Sequence, residues 1–180
     1  MKIKKNNAMN RLTGFIIMIL VGGLMMMGAC KKDQNPKLPD LKRASVPLVK
    51  RDAGSDDSIR NVNTFQGKFS VGLYFQNDEL PKKMDVVVAF NGDYTIVKIL
   101  KADVTTYPTS ITVTAQQLAA LFGKDVSSLV SKNYFEIGVD VYMNSGLVVP
   151  IFSNRTVASP YGPDAASYTG ASLKIKYVVK

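Results

Sequence analysis

The chain of 180 residues has one cysteine, Cys30, and no histidine. Those two facts set most of the accessible chemistry. Without an imidazole there is no Ser-His-Asp or Cys-His relay, and the usual zinc ligand sets are missing. Acid–base work would fall to paired carboxylates, which leave little trace in a sequence, or to Lys, Tyr and Ser. Asp85, Asp93 and Asp140 have the oxygen chemistry for a calcium ion, but nothing in their spacing makes them converge, and they read as solvated. Asp52, Asp56 and Asp57 lack calcium-loop spacing. No metal, cofactor or catalytic site is therefore expected, and the chain reads as a non-enzyme. One other cluster has binding chemistry. The loop Ser153–Gly170 holds Arg155, the only arginine after residue 60, with Tyr161, Asp164 and Tyr168. An Arg with two Tyr suits a polar ligand or partner, and long loops in compact domains tend to be functional or disordered. The alternative is a plain surface loop.

Cys30 has the more specific context. Lys2, Lys4, Lys5 and Arg11 precede a run from Leu12 to Ala29 that carries no charge. Phe15 to Val21 is apolar, Gly22 and Gly23 loosen a helix, and the small residues Gly28 and Ala29 adjoin Cys30. A positive end, an apolar middle and a small cleavage site mark a secretory signal. A retained transmembrane helix is the competing reading, since the run is about long enough to span. No positive stop-transfer pattern supports it, and the glycines weaken it.

Met27-Gly28-Ala29-Cys30 resembles the lipobox of bacterial lipoproteins, with Met27 where Leu, Val or Ile is usual. The resemblance implies that residues 1–29 are removed and that Cys30 is acylated on sulfur and nitrogen. Several acyl chains give stable attachment, at about 0.8 kcal/mol per buried CH₂. Lipidation also accounts for a lone cysteine in an exported chain.

The net charge of +9 does not point to nucleic acid. Four of the basic residues lie in the signal; residues 31–60 carry eight Lys/Arg against five Asp, and residues 61–180 carry eleven against nine acids. There is no basic stripe interleaved with aromatics. The basic residues after Cys30 suit anionic headgroups at a membrane surface.

Residues 30–63 read as the lipidated cysteine and a flexible tether, with Pro36, Pro39, Pro47, mixed charge and little apolar periodicity. Asp57-Ser58-Ile59 resembles the Asp-Ser/Thr-apolar motif at which Bacteroidota O-glycosylate exported proteins; a plain polar turn is the alternative. From about residue 64 to residue 180 the apolar period is two. Phe69, Val71, Leu73 and Phe75 form one face. Met84, Val86, Val88 and Phe90 form a second, with Asp85 opposite, and Asn91-Gly92 then signals a hairpin. A third strand covers about 94–102, Tyr107-Pro108 is a candidate cis bond, and a short strand spans 111–113. Thr114 and Gln117 have capping-box spacing for a helix that Gly123 ends. Phe135, Ile137, Val139 and Val141 form the clearest inward face, with Tyr134, Glu136, Asp140 and Tyr142 outward. A strand over 147–152 and a last one with Leu173, Ile175, Tyr177 and Val179 inward complete the pattern.

The fold class is therefore all-β, an immunoglobulin-like antiparallel β-sandwich with one short crossover helix. Cys30-Lys31-Lys32-Asp33 after the lipobox, and Thr114–Gly123 leading into Tyr134–Met143, resemble exported lipoproteins of Bacteroidota. In particular the chain resembles, loosely, the N-terminal sandwich of starch-utilisation accessory lipoproteins of the outer membrane. That resemblance implies a non-enzymatic accessory or interaction module of the cell envelope, serving a carbohydrate-uptake system. Its partners would be the membrane through Cys30 and other envelope proteins or glycans. Two alternatives are direct carbohydrate binding, for which Tyr74, Tyr134 and Tyr142 are the outward aromatics, and an adhesin or assembly subunit that uses a strand edge.

Overall fold

The structure, a computed structural model, describes residues 43–152 and 161–180. They belong to a compact unit over Lys42–Lys180 that is separate from Met1–Leu41. Cys30, the stretch before it and Arg155 lie outside the described residues. In chain order the elements are β1 (Pro47–Arg51), β2 (Gln66–Leu73), β3 (Lys83–Phe90), β4 (Asp93–Val104), β5 (Thr109–Thr114), α1 (Ala115–Leu121), β6 (Tyr134–Tyr142), β7 (Val148–Val149), α2 (Gly162–Ser167) and β8 (Lys174–Val178). One sheet has the order β1-β2-β5. The other runs β4-β3-β6, and β7 and β8 both pair with β6. Every strand pairing is antiparallel. The chain is thus an all-β sandwich of two antiparallel sheets.

The core follows the alternation that the sequence displays. Phe69 and Val71 of β2 and Ile111 and Val113 of β5 face Met84, Val86 and Val88 of β3, the four inward residues of β6, and Ile175 and Tyr177 of β8. Apolar burial at period two is what fixes this register, because a one-residue slip would turn each face outward. The β3–β4 hairpin turns through Asn91 (φ 52°) and Gly92 (φ 73°), both left-handed, as a two-residue type I′ turn requires. The Tyr107–Pro108 peptide is cis.

Helix α1 begins with the capping box its sequence announces. The Gln117 amide donates to Thr114 Oγ1 at 3.2 Å, and the Thr114 amide donates to Gln117 Oε1 at 2.9 Å. Gly123 ends it with φ 64°. Leu118 and Ala119 are buried, so the helix is held by packing where the chain crosses from one sheet to the other.

Several expectations need correction. The segment placed in the tether is folded from about residue 43. Residues 47–51 form β1, Val49 and Ile59 are fully buried, and Ile59 bridges to Val179 beside β8. Prolines and charges hide this stretch because its partners, β2 and β8, come from far along the chain. Ser58 is buried, and its hydroxyl donates to Asp57 Oδ1 at 2.7 Å. A glycosylation site there is therefore inaccessible in the folded chain. Phe75 lies beyond the end of β2 and is exposed. The strand expected over 147–152 shrinks to Val148–Val149, and the loop after it contains α2.

The largest departure concerns β3. Met84 through Ala89 are all buried, so both faces of this strand are covered. Val87 and Ala89 on the outer side lie under Ile151, Phe152 and Leu173, which form a second, smaller apolar cluster. Ile151 can sit there because Gly138 has no side chain: a Cβ on Gly138 would come within 2.8 Å of Ile151 Cγ2.

Candidate functional site

The chemistry-bearing residues gather on the outer face of the five-stranded sheet, on either side of that apolar cover. On one side the β3–β6 register sets Lys83 opposite Tyr142 and Asp85 opposite Asp140. Asp85 was expected to be solvated, yet it is only 3% exposed. It accepts Lys83 Nζ at 3.1 and 3.2 Å and the Asp103 amide at 2.8 Å. Lys83 also reaches Asp103 Oδ1 at 2.8 Å, and its ammonium lies 4.5 Å from the centre of the Tyr142 ring. Burial pushes the Asp85 carboxyl up, but the Asp103 amide, the Lys83 ammonium and the Tyr142 hydroxyl outweigh it, and its pKa falls below the ordinary value. Hydrogen bonds to Asp103 and then Asp85 raise the pKa of Lys83.

Asp140 behaves oppositely. Burial raises its pKa, the Asp85 charge adds to the rise, and the Ile151 amide at 2.9 Å opposes it. Two facing carboxylates with pKa values pushed apart have the form of an acid–base pair. Here the donors they hold come from the sheet and its cover. Asp85 fixes Asp103, a left-handed residue (φ 56°) near the end of β4. Asp140 fixes the chain where it begins to cross the outer face. Both carboxylates thus hold backbone donors of the sheet and its cover.

On the other side of the cover, Glu136 is buried and accepts the Tyr94 hydroxyl at 2.7 Å, with Lys174 3.6 Å away. Burial, then Glu136, pushes the Tyr94 hydroxyl up to about 12. Tyr94 stacks on Phe152 at 5.1 Å. Lys176 lies 3.4 Å from the centre of the Tyr134 ring. Tyr134 and Tyr142, the outward aromatics on β6, are therefore covered by lysines in cross-strand pairs. Asp93 is engaged elsewhere, at the β3–β4 hairpin, where it accepts the Thr95 amide at 2.9 Å. The three acids considered for calcium do not converge, and the described residues contain no group of three or more potential metal ligands.

Of the expected loop cluster, Tyr161 and Tyr168 are the members whose side chains are described. Arg155 lies outside the described residues, and Asp164 belongs to α2. Tyr161 is half-buried against both apolar clusters, and its hydroxyl donates to the Ser45 carbonyl at 3.4 Å. Burial, with some help from the Asp140 charge, raises its pKa. Tyr168 is exposed and stacks on Tyr74 at 5.6 Å, with Phe75 edge-on at 5.7 Å. The Tyr74 hydroxyl donates to the Thr169 carbonyl at 2.9 Å. Sequence spacing missed the burial of Asp85 and of Glu136, on opposite sides of the cover, and the half-buried Lys83 that pairs with Asp85. The i, i+2 pair Lys83–Asp85 on one strand face was the available signal; the Asp140 and Glu136 partners depend on register.

A second region lies at the free side of β4. A groove of about 620 Å³ runs between β4 and the end of α1. Half-buried Phe90, Leu121 and Phe122 and exposed Ile96 line it, with Asp93, Lys98 and Lys124 as its charged residues. The Lys124 ammonium sits 5.2 Å from the centre of the Phe90 ring. Among the described residues no helix is long and apolar enough to cross a membrane. No protein-family model, curated protein or solved structure matches this chain.

Proposed function

We propose that the chain is a lipid-anchored β-sandwich of the bacterial cell envelope, acting as a non-enzymatic accessory or interaction module. The observation that carries this reading is the sequence Gly14–Cys30, in which an uncharged apolar run ends on small residues before the only cysteine. An immunoglobulin-like assignment belongs to the same proposal. Three strands in the order 1-2-5 face a sheet in the order 4-3-6-8, with a crossover between strands 5 and 6, and this supports it. An outer-membrane location and a role beside carbohydrate uptake rest on the resemblance of the lipobox and tether.

The test is incorporation of radiolabelled palmitate, with membrane fractionation, in wild type and Cys30→Ala. The expected result is label in the wild type only, and release of the variant to the soluble fraction. An unlabelled wild type would overturn the anchor. Direct glycan binding is the second reading, favoured by the cluster of exposed Phe75 and Tyr168 with half-buried Tyr74. Affinity gels containing soluble polysaccharides would show retardation lost in Tyr168→Ala, and no retardation by any glycan would remove this reading.

A further inference from the structure

We infer that the free edge of β4 is a docking site for an extended, acidic-and-apolar strand of a protein partner, which joins the sheet by β-augmentation. The inference deepens the interaction-module reading and rests on it for the setting, not for the geometry. β4, at 12 residues, is the longest strand among the described residues. It pairs with β3 on one side, and among the described residues no strand pairs with its other side. An edge of this kind offers a row of backbone donors and acceptors to a further strand. Native edges are blunted by bulges and lysines, and β4 has both. Register shifts interrupt the pairing on both sides of Val97, Lys98 and Ile99, which pair regularly with Ala89, Val88 and Val87. These three residues are the regular part of the template.

Side chains flank this template on both faces. Ile96 and Ile99 are 51% and 54% exposed, unusual for isoleucine in a strand. Ile96 lines the groove whose wall is Leu121 and Phe122. An added strand would set alternate apolar side chains into that groove, because alternate residues of a strand share a face. Charge selects the occupant. Lys98 and Lys124 line the groove and Lys101 lies farther along the strand, all exposed; the nearby acids are already engaged, Asp93 of the groove lining by the Thr95 amide and hydroxyl and Asp103 by Lys83. Acidic residues between the apolar ones would meet these ammonium groups. A second copy of β4 would bring its own Lys98 and Lys101 to the same edge, so like charges disfavour self-pairing.

The test uses the full chain in detergent micelles and fluorescently labelled peptides of about eight residues, a typical strand length. The peptides alternate Val with Glu, Ser or Lys. Saturable binding of the Val/Glu peptide is expected, roughly tenfold tighter than Val/Ser, with Val/Lys weakest. Added salt should weaken the Val/Glu peptide most. N-methylation of alternate amides should abolish binding on one peptide edge only, the edge that pairs with β4. Lys98→Glu with Lys124→Glu should reverse the order of the Glu and Lys peptides; circular dichroism confirms that this variant is folded, and the salt series stands in if it is not. Absent binding, equal binding of all three peptides, or indifference to N-methylation of both edges would each overturn the inference. So would concentration-dependent dimerisation lost in Ile96→Lys, which would assign the edge to a second copy. The measurement reads the same whether or not Cys30 carries lipid, so its failure leaves the anchor standing, and an unlabelled Cys30 leaves this inference standing.

Discussion

The two edges of the five-stranded sheet are treated in opposite ways. On the β8 side, segments from early in the chain close the edge. The Ile59 amide donates to the Val178 carbonyl at 2.8 Å, the Lys180 amide to the Ile59 carbonyl at 3.0 Å, and the Val49 amide to the Ser172 carbonyl at 2.7 Å. Arg51 adds a side-chain bond to the Lys176 carbonyl and sits over the Tyr177 ring. On the β4 side the described residues supply no such cover, and two isoleucines face solvent. An edge that needs only to be protected can be closed by the chain's own ends. An edge left open, long and apolar is a liability unless something uses it.

The sharpest way to break the comparison is at the closed edge. Ile59→Ala removes a fully buried side chain and loosens the strap along β8. It should cost about 3 kcal/mol, read as a lowered midpoint in thermal or urea unfolding. A loss below about 1 kcal/mol would mean that the early segment does not secure this edge. Next in size is Asp85→Ala, which leaves Lys83 with Asp103 alone and the Asp103 amide unpaired. About 2 kcal/mol is expected, with faster amide exchange in β4 than in β8. Because the Asp85 pKa is depressed by folding, its contribution is complete above the unfolded value near 4 and disappears as pH falls through the lower folded value. The wild-type acid-unfolding limb should therefore be steeper than the variant's.

Asp140→Asn should act in the opposite direction. The folded pKa of Asp140 is raised, so its charged form is disfavoured in the fold, and the penalty is present above the folded value. The amide keeps an acceptor for the Ile151 amide and removes the charge facing Asp85. A gain of about 0.5–1 kcal/mol at neutral pH is expected, shrinking as pH falls through the raised value. A destabilised variant at pH 7 would show that the Asp140 charge is needed. The smallest effect sharpens the contrast: Ile96→Ser on the open edge should change stability by less than about 0.5 kcal/mol. A loss near that of Ile59→Ala would show that Ile96 is part of the core and not of a waiting surface.

What the sequence displays of this fold follows from the range of the interactions involved. The inward faces of β2, β3, β6 and β8 are visible because each strand states its own alternation. The α1 cap is visible because Thr114 and Gln117 are three residues apart and bond to each other. β1 is not visible: PLVKR has too few apolar positions to show a period, and its burial depends on β2. The run Val86-Val87-Val88-Ala89 did contain the sign of a strand covered on both faces, but reading only Val86 and Val88 as inward loses it. The buried carboxylates were least legible. Asp85 and Asp140 become a pair only through register, and Glu136 meets Tyr94 across 42 positions of sequence. Tyr161 and Tyr168 show the same dependence: they are near each other in the chain, while packing gives them different neighbours.

Gly138 ties the history of two positions together. Its missing Cβ is the room that Ile151 occupies, so neither residue is free to drift alone. A larger residue at 138 would have to wait for a smaller one at 151. Among descendants of this sequence the two sites should therefore change as a pair, and glycine should persist in the middle of β6 for as long as a bulky residue crosses over it.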